Sequence, residues 1–280
     1  MSAIVASLRF TKMHGIGNDF VVLDCRRHPL DLDAPAIRRL GDRQFGVGFD
    51  QLLTIEPASD SSCAHAYGIY NRDGSRAGQC GNGVRCVAAW LRRDDALGAG
   101  STRLQSPSGP VAVELLDDGR VRVDMGVPDF RPAALPLLAA PAARYFGDIG
   151  GRAIEFGAVS MGNPHAVIEV DDVNAAPVTS LGPSLECDAQ FPLRANIGFV
   201  QPVSRNRILL RVWERGVGET LACGSGACAA VAVLSRRGQL DADVAVQLPG
   251  GELEISWQGE GHPAWMTGPA AFVFDGDYYR

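Results

Sequence analysis

Two stretches of the chain show the apolar spacing of a helix face, and each directly follows a glycine-rich turn. Apolar side chains recur at i, i+3, i+4 and i+7 after Gly83, at Val84, Val87, Ala88 and Leu91. After Gly226 the same spacing is met by Ala227, Ala230, Val231 and Leu234. The runs end in paired arginines, which suit the negative end of a helix dipole: Arg92-Arg93 and Arg236-Arg237. The pattern therefore predicts one such helix in each half of the chain.

The segments around these helices predict the fold class. Residues 227–234 are apolar on every side, which indicates that a sheet encloses them. Alternating segments such as 111–115 and 253–255 are typical of half-exposed strands. We expect an α+β fold of two pseudo-symmetric domains, each a curved, mostly antiparallel sheet wrapped around a central helix, with the active site in the interdomain cleft. The expected domains are 1–124 with the C-terminal segment 269–280, and 125–268.

The two halves also repeat in sequence. The first copy runs from Tyr70-Asn71-Arg72 to Cys80-Gly81-Asn82-Gly83, and the second from Trp213-Glu214-Arg215 to Cys223-Gly224-Ser225-Gly226. The two cysteines are 143 positions apart (223 − 80), as are Asn71 and Glu214. Upstream, Asn18 matches Asn163, and the stretch ending in Gln51 resembles the one ending in Gln201. A short helix is expected after each asparagine, the first capped by Asp33 and the second around residues 178–185.

Composition and charge argue against several classes of function for this protein. A chain of 280 residues is long for one domain, and its net charge of −6 argues against nucleic acid or an anionic membrane as the main partner. No apolar run is long enough to span a bilayer, and the start shows no signal peptide. Seven cysteines without framework spacing fit a reducing cytoplasm. The single lysine, Lys12, makes a pyridoxal phosphate enzyme a poor interpretation.

The paired cysteines are the strongest chemical signal. Each is expected at a helix N-terminus, where the dipole and open amides favour a thiolate and lower a thiol pKa from its free value of about 8.5. The neighbouring glycine-rich turns leave backbone N–H groups open to a carboxylate. One thiol on each side of a cleft suits removal of a proton from carbon on one face and its return on the other, which inverts a stereocentre.

The sequence resembles those of the diaminopimelate epimerase family. The resemblance extends from Met13 to about Gly268 and rests on MHGIGNDFVVLD, GFDQLL, NRDGS, QCGNGVRC, MGNPHAV, ERGVGETLACGSGACA and LPGG. It implies interconversion of LL- and meso-diaminopimelate, in lysine and peptidoglycan synthesis, without metal or organic cofactor. Arg72 and Phe274 depart from residues common in the family. A homodimer is left open.

The resemblance also implies roles for individual residues. Cys80 and Cys223 are the expected acid/base pair, and His165 and Glu214 are expected to tune their pKa values. The residues expected to bind substrate are Asn18, Gln51, Asn71, Gly81, Asn82, Asn163, Asn196, Glu214, Arg215, Gly224 and Ser225. Arg215 suits the carboxylate of the far amino-acid end.

Other interpretations of the same residues stay open. A free cysteine is most often a small buried apolar residue, which we expect of Cys25, Cys63, Cys86, Cys187 and Cys228. Asparagines often form turns, and Glu214 with Arg215 could be a surface pair. The rival functions are a proline or hydroxyproline racemase, a cysteine hydrolase using Cys223 with His165, and a two-lobed amino-acid binding protein. The cysteine spacing does not match a zinc site.

Overall fold

The structure, a computed structural model, describes residues 7–30, 32–149 and 152–279. The strands are, in chain order, β1 (Ser7–Gly15), β2 (Asn18–Asp24), β3 (Gln51–Glu56), β4 (His65–Asn71), β5 (Gly100–Ser106), β6 (Gly109–Leu115), β7 (Val121–Asp124), β8 (Tyr145–Ile149), β9 (Arg152–Ser160), β10 (Pro164–Glu169), β11 (Asn196–Ser204), β12 (Arg207–Glu214), β13 (Gly218–Thr220), β14 (Asp243–Leu248), β15 (Gly251–Trp257), β16 (Ala264–Gly268) and β17 (Ala271–Tyr279). The helices are α1 (Ala34–Gly41), α2 (Gly81–Arg93), α3 (Val178–Glu186) and α4 (Gly224–Arg236). The prediction of no signal peptide rests on residues 1–12, of which 1–6 lie outside the described residues.

The chain forms two compact units, Met1–Val123 with Gly268–Arg280, and Asp124–Thr267. In the first unit β1 is antiparallel to β17 and β2, β2 is parallel to β3, and β3 is antiparallel to β4. Then β4 is parallel to β5, and β5, β6 and β7 follow as antiparallel neighbours. Antiparallel pairing therefore dominates, with two parallel steps where a helix connects the strands.

The second unit repeats this order of pairings. Strand β9 is antiparallel to β8 and β10, β10 is parallel to β11, and β11 is antiparallel to β12. Then β12 is parallel to β14, and β14, β15 and β16 follow as antiparallel neighbours. The extra strand β13 pairs with the end of β12. Each unit thus has the predicted α+β design, and its parallel steps span the predicted helices.

Each central helix is packed against the strands of its own unit. Helix α4 contacts β9, β10, β11, β12 and β15, and residues 227–234 are at most 3% exposed. Helix α2 contacts β1, β2, β3 and β6. The all-round apolar pattern of α4 thus predicted its enclosure correctly, because a helix without a polar face must be covered on every side.

Two local expectations have different outcomes. Helix α1 begins as predicted: Asp33 Oδ1 accepts a hydrogen bond of 2.9 Å from the Ala36 amide, a cap that stabilises a helix by about 1 kcal/mol. The Pro/Ala-rich stretch 131–144, expected either to link the domains or to form an edge loop, lies wholly within the second unit. Leu135 and Leu137 bury their side chains in the core of that unit, so the chain passes between units before this stretch.

Candidate active site

Cys80 is the residue directly before α2, as the sequence predicts. Its backbone is extended, with φ −149°, and its Sγ lies 3.4 Å from the amide nitrogen of Gly83, which donates to it. The thiol faces Asn18 Oδ1 at 3.8 Å. The side chain is only partly buried. Cys80 therefore combines a helix N-terminus with access to small molecules, which is the environment of a reactive cysteine.

Three of the predicted substrate-binding residues of the first unit lie at one edge of its sheet. Strand β2 begins at Asn18, β3 begins at Gln51, and β4 ends at Asn71. Phe20 pairs with Gln51, and Gln51 pairs with Asn71. Gln51 Nε2 donates to Asn71 Oδ1 at 3.0 Å, and Asn71 Nδ2 donates to Ser75 Oγ at 3.0 Å. The strand register thus groups three amide side chains at this edge.

Asn82 connects this edge to the first turn of α2. It is 3% exposed, and its Nδ2 donates to Asn18 Oδ1 at 3.2 Å. Its own Oδ1 accepts a hydrogen bond of 3.0 Å from Nη1 of Arg85, a fully buried arginine. Asn82 and Asn18 are therefore joined to Cys80 in one polar cluster.

Cys223 occupies the equivalent position before α4, but it is more deeply buried, at 4% exposed. Burial raises the pKa of the Cys223 thiol well above its ordinary value, and the charge of Glu214 raises it further. The Ser225 hydroxyl, 3.7 Å from Sγ, acts in the opposite direction. The prediction that the pKa is lowered is therefore wrong for Cys223, because desolvation by burial is the largest influence on this thiol.

His165 is fully buried beside the first turn of α4. Its Nε2 lies 3.1 Å from both Asn163 Oδ1 and Ser225 Oγ, and Asn163 Nδ2 lies 3.4 Å from Ser225 Oγ. Burial and the charge of Arg215 lower the pKa of His165 to about 3. The imidazole is therefore neutral at neutral pH and reaches Cys223 through the Ser225 hydroxyl.

This buried histidine predicts a specific acid sensitivity. The folded pKa of about 3 lies below the unfolded value of about 6.5, so neutral His165 contributes stability above pH 6.5 that is lost as pH falls toward 3. In that window it adds a slope of about 1.4 kcal/mol per pH unit to the free energy of unfolding. Urea denaturation from pH 7 to pH 4 should show a shallower slope for His165→Gln than for wild type. The exposed His28→Gln should match wild type, and equal slopes for all three would contradict the account.

The end of β12 brings together the other predicted residues of the second unit. The Arg215 amide donates to Asn196 Oδ1 at 2.9 Å, and Asn196 Nδ2 donates to Pro164 O at 3.1 Å. Arg215 Nη1 donates to Leu193 O at 3.0 Å. Glu214 accepts a hydrogen bond from the hydroxyl of Thr220. The guanidinium of Arg215 is thus anchored at one nitrogen. The carboxylate of Glu214 is held close enough to Cys223 to affect its pKa.

The strand register corrects one detail of the repeat. Gln51 pairs with the residue two positions after Asn18, and Asn196 pairs with the residue two positions after Asn163. Gln201 lies five residues further along β11 and uses its Oε1 to accept the Val173 amide. The structural equivalent of Gln51 is therefore Asn196 and not Gln201. The similar sequences at 48–51 and 198–201 each have glycine, phenylalanine and glutamine in the same order. Aligning them gave a match for Gln51 that is five positions away from the structural equivalent.

Sequence reasoning missed Glu186, a buried carboxylate at the end of α3. Its Oε2 accepts a hydrogen bond of 2.7 Å from Trp213 Nε1, and its Oε1 accepts one of 3.0 Å from the Gly216 amide. These contacts hold the chain on both sides of Glu214 and Arg215. The weak helix pattern around 178–185 gave no signal for this role, because only the tertiary fold brings α3 to the end of β12.

Gly226, the third residue of α4, leaves the space that the side chain of Cys223 occupies. A Cβ on Gly226 would lie 3.0 Å from Val212 Cγ2 and 3.1 Å from Cys223 Sγ. Helix propensity favours alanine by about 1 kcal/mol, but overpacking costs about 1–3 kcal/mol. We expect Gly226→Ala to lower the free energy of unfolding in urea by about 1 kcal/mol net and to slow alkylation of Cys223. In the control Gly198→Ala the new Cβ lies 3.5 Å from Leu210, an ordinary contact. Unchanged stability and alkylation in Gly226→Ala would contradict this packing.

Two further properties concern cofactors and membranes. Among residues 7–30, 32–149 and 152–279, no group of three or more His, Cys, Asp or Glu side chains is arranged to hold a metal ion. In that part of the chain no helix is long and apolar enough to cross a membrane.

Comparison with known proteins identifies the family. The family model for diaminopimelate epimerase matches residues 10–131 and 157–273. A diaminopimelate epimerase of Xanthomonas euvesicatoria pv. vesicatoria is 56% identical over 275 residues, which cover 98% of this chain and 97% of that protein. One from Laribacter hongkongensis is 53% identical over 273 residues, covering 96% of this chain and 98% of that protein.

Solved structures of more distant proteins share the fold. A hydroxyproline epimerase from Agrobacterium vitis, with bound trans-4-hydroxy-L-proline, aligns with a TM-score of 0.69 at 16% identity, covering 100% of this chain and 94% of its own. A phenazine biosynthesis protein of the PhzF family from Bacillus anthracis aligns with a TM-score of 0.69 at 14% identity, covering 98% of this chain and 100% of its own. At these identities the likeness concerns the fold alone. The family model and the relatives above 50% identity over nearly the whole length show that this chain, an isomerase acting on a small molecule, belongs to the diaminopimelate epimerase family.

Proposed function

We propose that this chain interconverts LL- and meso-diaminopimelate by moving the α-proton between two cysteines, Cys80 and Cys223. The observation that supports this most strongly is that each cysteine directly precedes the first turn of a buried helix in its own compact unit. We infer that each cysteine serves one face of the same α-carbon. The two compact units are taken as the two epimerase domains, each of which contributes one cysteine.

The proposed reaction needs a thiolate and a thiol at the same time. The thiolate removes the α-proton, which forms a new S–H bond and leaves the electron pair on carbon. The second cysteine donates its S–H proton to the opposite face, which completes inversion and leaves that cysteine as the thiolate. For the reverse direction the two cysteines exchange roles. No metal or organic cofactor takes part in this scheme.

Electrostatic stabilisation of the carbanion comes from the helix ends. The backbone amides of Gly81 and Asn82, and of Gly224 and Ser225, lie in the first turn of their helices, at the positive end of the helix dipole. Hydrogen bonds from such amides to the α-carboxylate strengthen as negative charge develops next to it. We assign these four residues to the reacting carboxylate.

The remaining predicted residues are assigned to orienting the rest of the substrate. Amide side chains can hydrogen-bond both the ammonium and the carboxylate of an amino acid. The residues proposed for this role are Asn18, Gln51, Asn71, Asn163, Asn196 and Glu214. Arg215 is proposed to bind the distal carboxylate, because a guanidinium fork matches a carboxylate geometrically. His165 and Glu214 are proposed to tune the thiols: neutral His165 acts through Ser225, and Glu214 acts directly on Cys223.

The reaction and the thiols together suggest a location. None of the seven cysteines, all of which lie within the described residues, forms a disulfide, and the proposed mechanism fails if the catalytic pair is oxidised. We therefore propose that the protein acts in the cytoplasm, where lysine and peptidoglycan precursors are made and thiols stay reduced.

A substrate panel tests the proposed function. The purified chain is incubated in D2O with LL-diaminopimelate, L-proline or L-glutamate, and α-deuteration and inversion are followed by mass spectrometry and chiral chromatography. We expect turnover of diaminopimelate and rates at least about 100-fold lower for the others. L-Proline has no second carboxylate for Arg215, and the side-chain carboxylate of L-glutamate lies nearer the α-carbon than the distal carboxylate of diaminopimelate. Preferential turnover of proline would favour a proline-type racemase. Binding of diaminopimelate without exchange would favour an amino-acid binding protein.

A further inference from the structure

A chain of hydrogen bonds with a fixed direction runs past Cys80 in the first unit. Arg85 Nη1 donates to Asn82 Oδ1 at 3.0 Å, and Asn82 Nδ2 donates to Asn18 Oδ1 at 3.2 Å. Asn18 Nδ2 then donates to Asp50 Oδ2 at 2.9 Å. The chain thus begins at a guanidinium, passes through two amides and ends at a carboxylate.

The groups at the two ends determine how both amides are oriented. A guanidinium can only donate hydrogen bonds, so the oxygen of Asn82 must face Arg85. An ionised carboxylate can only accept, so the nitrogen of Asn18 must face Asp50. With both outer ends fixed, the inner contact can only run from Asn82 nitrogen to Asn18 oxygen. The orientation of each amide, which geometry alone leaves ambiguous, therefore follows from chemistry.

Both ends of the chain are themselves held in place. Arg85 is fully buried, its Nε donates to Pro269 O at 3.2 Å, and a Cβ on Gly15 would lie 2.9 Å from its Nη2. Asp50 accepts a hydrogen bond of 2.8 Å from Arg43 and one of 3.2 Å from the amide of Asp19. Reversal of these hydrogen bonds would require either Arg85 or Asp50 to move.

The fixed direction determines what the Cys80 sulfur meets. Asn18 presents its oxygen, not its nitrogen, 3.8 Å from Sγ, while the Gly83 amide donates to Sγ at 3.4 Å. An oxygen acceptor stabilises the S–H group and is repelled by a thiolate. The opposite amide orientation would stabilise the thiolate instead.

We propose that Asp50 and Arg85 are positioning residues: together they hold the Asn18 oxygen toward Cys80 and so favour the thiol form of this cysteine. The part of this inference that concerns catalysis rests on the proposed function, in which Cys80 enters one direction of the reaction as the proton donor. The part that concerns the protonation of Cys80 is independent of any substrate.

Tyr67, Cys86 and Asp19 each keep one charge state through the range in which Cys80 would titrate. Burial raises the pKa of Tyr67, and the charge of Cys80 raises it further. Burial likewise raises the pKa of Cys86 to about 12. Asp19, which borders Asp50, stays ionised because hydrogen bonds from Arg43 and Lys12 outweigh its burial and lower its pKa to about 2. A change in the charge of these three groups therefore does not contribute to the titration of Cys80.

Alkylation of Cys80 as a function of pH tests the proposal without substrate. The full chain is treated with iodoacetamide between pH 5 and pH 10, and the rate at Cys80 is followed by peptide mass spectrometry. In Asp50→Ala or Arg85→Met one end still fixes the direction, so we expect the pH of half-maximal rate to move by at most about 0.5 unit. In the double variant, which conserves net charge, both amides are released, and we expect a fall of about 1 unit.

The controls separate amide orientation from charge and from unfolding. If charge alone acted, the two single changes would shift the midpoint in opposite directions and cancel in the double variant. The exposed pair Asp118 and Arg120, 2.7 Å apart, provides a matched control in Asp118→Ala/Arg120→Met, which should behave as wild type. Fully buried Cys86 should stay unmodified in every folded variant.

A further variant keeps the test decisive if the double variant does not fold. Asn18→Leu removes the acceptor without changing any charge, and we expect it to lower the midpoint by a similar amount. A double variant whose midpoint equals that of wild type, or an unchanged midpoint in Asn18→Leu, overturns the proposal. Because diaminopimelate is absent throughout, a failure of the proposed function would appear only in the substrate panel and not in this assay.

Discussion

Replacement of either Cys80 or Cys223 by serine is expected to lower kcat/KM for diaminopimelate epimerisation by about 10³-fold or more. A serine hydroxyl is a far weaker acid than a thiol, so it cannot serve as the base at neutral pH and gives up its proton less readily. Each change removes the transfer on one face, and both directions of the reaction need both faces. The measurement is the initial rate in each direction, followed by chiral chromatography.

The two cysteines should behave as one unit. Because either single change already abolishes proton transfer, the double variant Cys80→Ser/Cys223→Ser should be little worse than the single variants. The prediction that Cys187 is buried is wrong, because the residue is exposed. It lies outside the proposed site, so Cys187→Ser is the matched control and should retain wild-type rates. Sustained racemisation by Cys80→Ser would count against a two-base reaction.

Replacement of Arg215 by methionine is expected to have the second-largest effect, a fall in kcat/KM of about 10²–10³-fold. Loss of one member of a desolvated charge pair costs about 2–5 kcal/mol. The free-energy equivalent of the expected fall in kcat/KM lies within this interval. The distal carboxylate is bound in the ground state and in the transition state alike, so the change should appear mainly in KM. Steady-state kinetics with LL-diaminopimelate separate KM from kcat.

Two further arginine variants show whether the change in KM arises from the guanidinium of Arg215. Arg215→Lys keeps the charge but loses the planar fork, so its KM should lie between those of wild type and Arg215→Met. Arg205 forms an exposed pair with Asp241, at 2.8 Å, and Arg205→Met should leave KM unchanged. An unchanged KM in Arg215→Met would show that this guanidinium only anchors its own loop through Leu193.

The sequence contained enough information to predict the helices and their cysteines. Apolar spacing after Gly83 and Gly226 correctly predicted α2 and α4, because a helix that is covered by a sheet must present apolar residues to it. The position of Cys80 and Cys223 before these helices follows from the same pattern. The roles of these cysteines, and of the residues assigned to substrate, stay predictions that the experiments above address.

Other features depend on contacts that one-dimensional patterns do not encode. The equivalence of Gln51 with Asn196 appears only in the strand register, because similar letters five residues away gave a competing match. Glu186 is separated from its partners Trp213 and Gly216 by 27 and 30 positions in the sequence. The raised pKa of Cys223 depends on its degree of burial, which the helix N-terminus rule does not include.

The most direct test of the two-base account is the early time course of LL-diaminopimelate conversion in D2O. The account predicts that the first meso product has one solvent deuterium at the inverted α-carbon, while the remaining LL substrate is still unlabelled. Each face has its own proton carrier, so the proton removed from one face is not the one returned to the other. Meso product that retains the original α-proton, or equal early labelling of substrate and product, would contradict it.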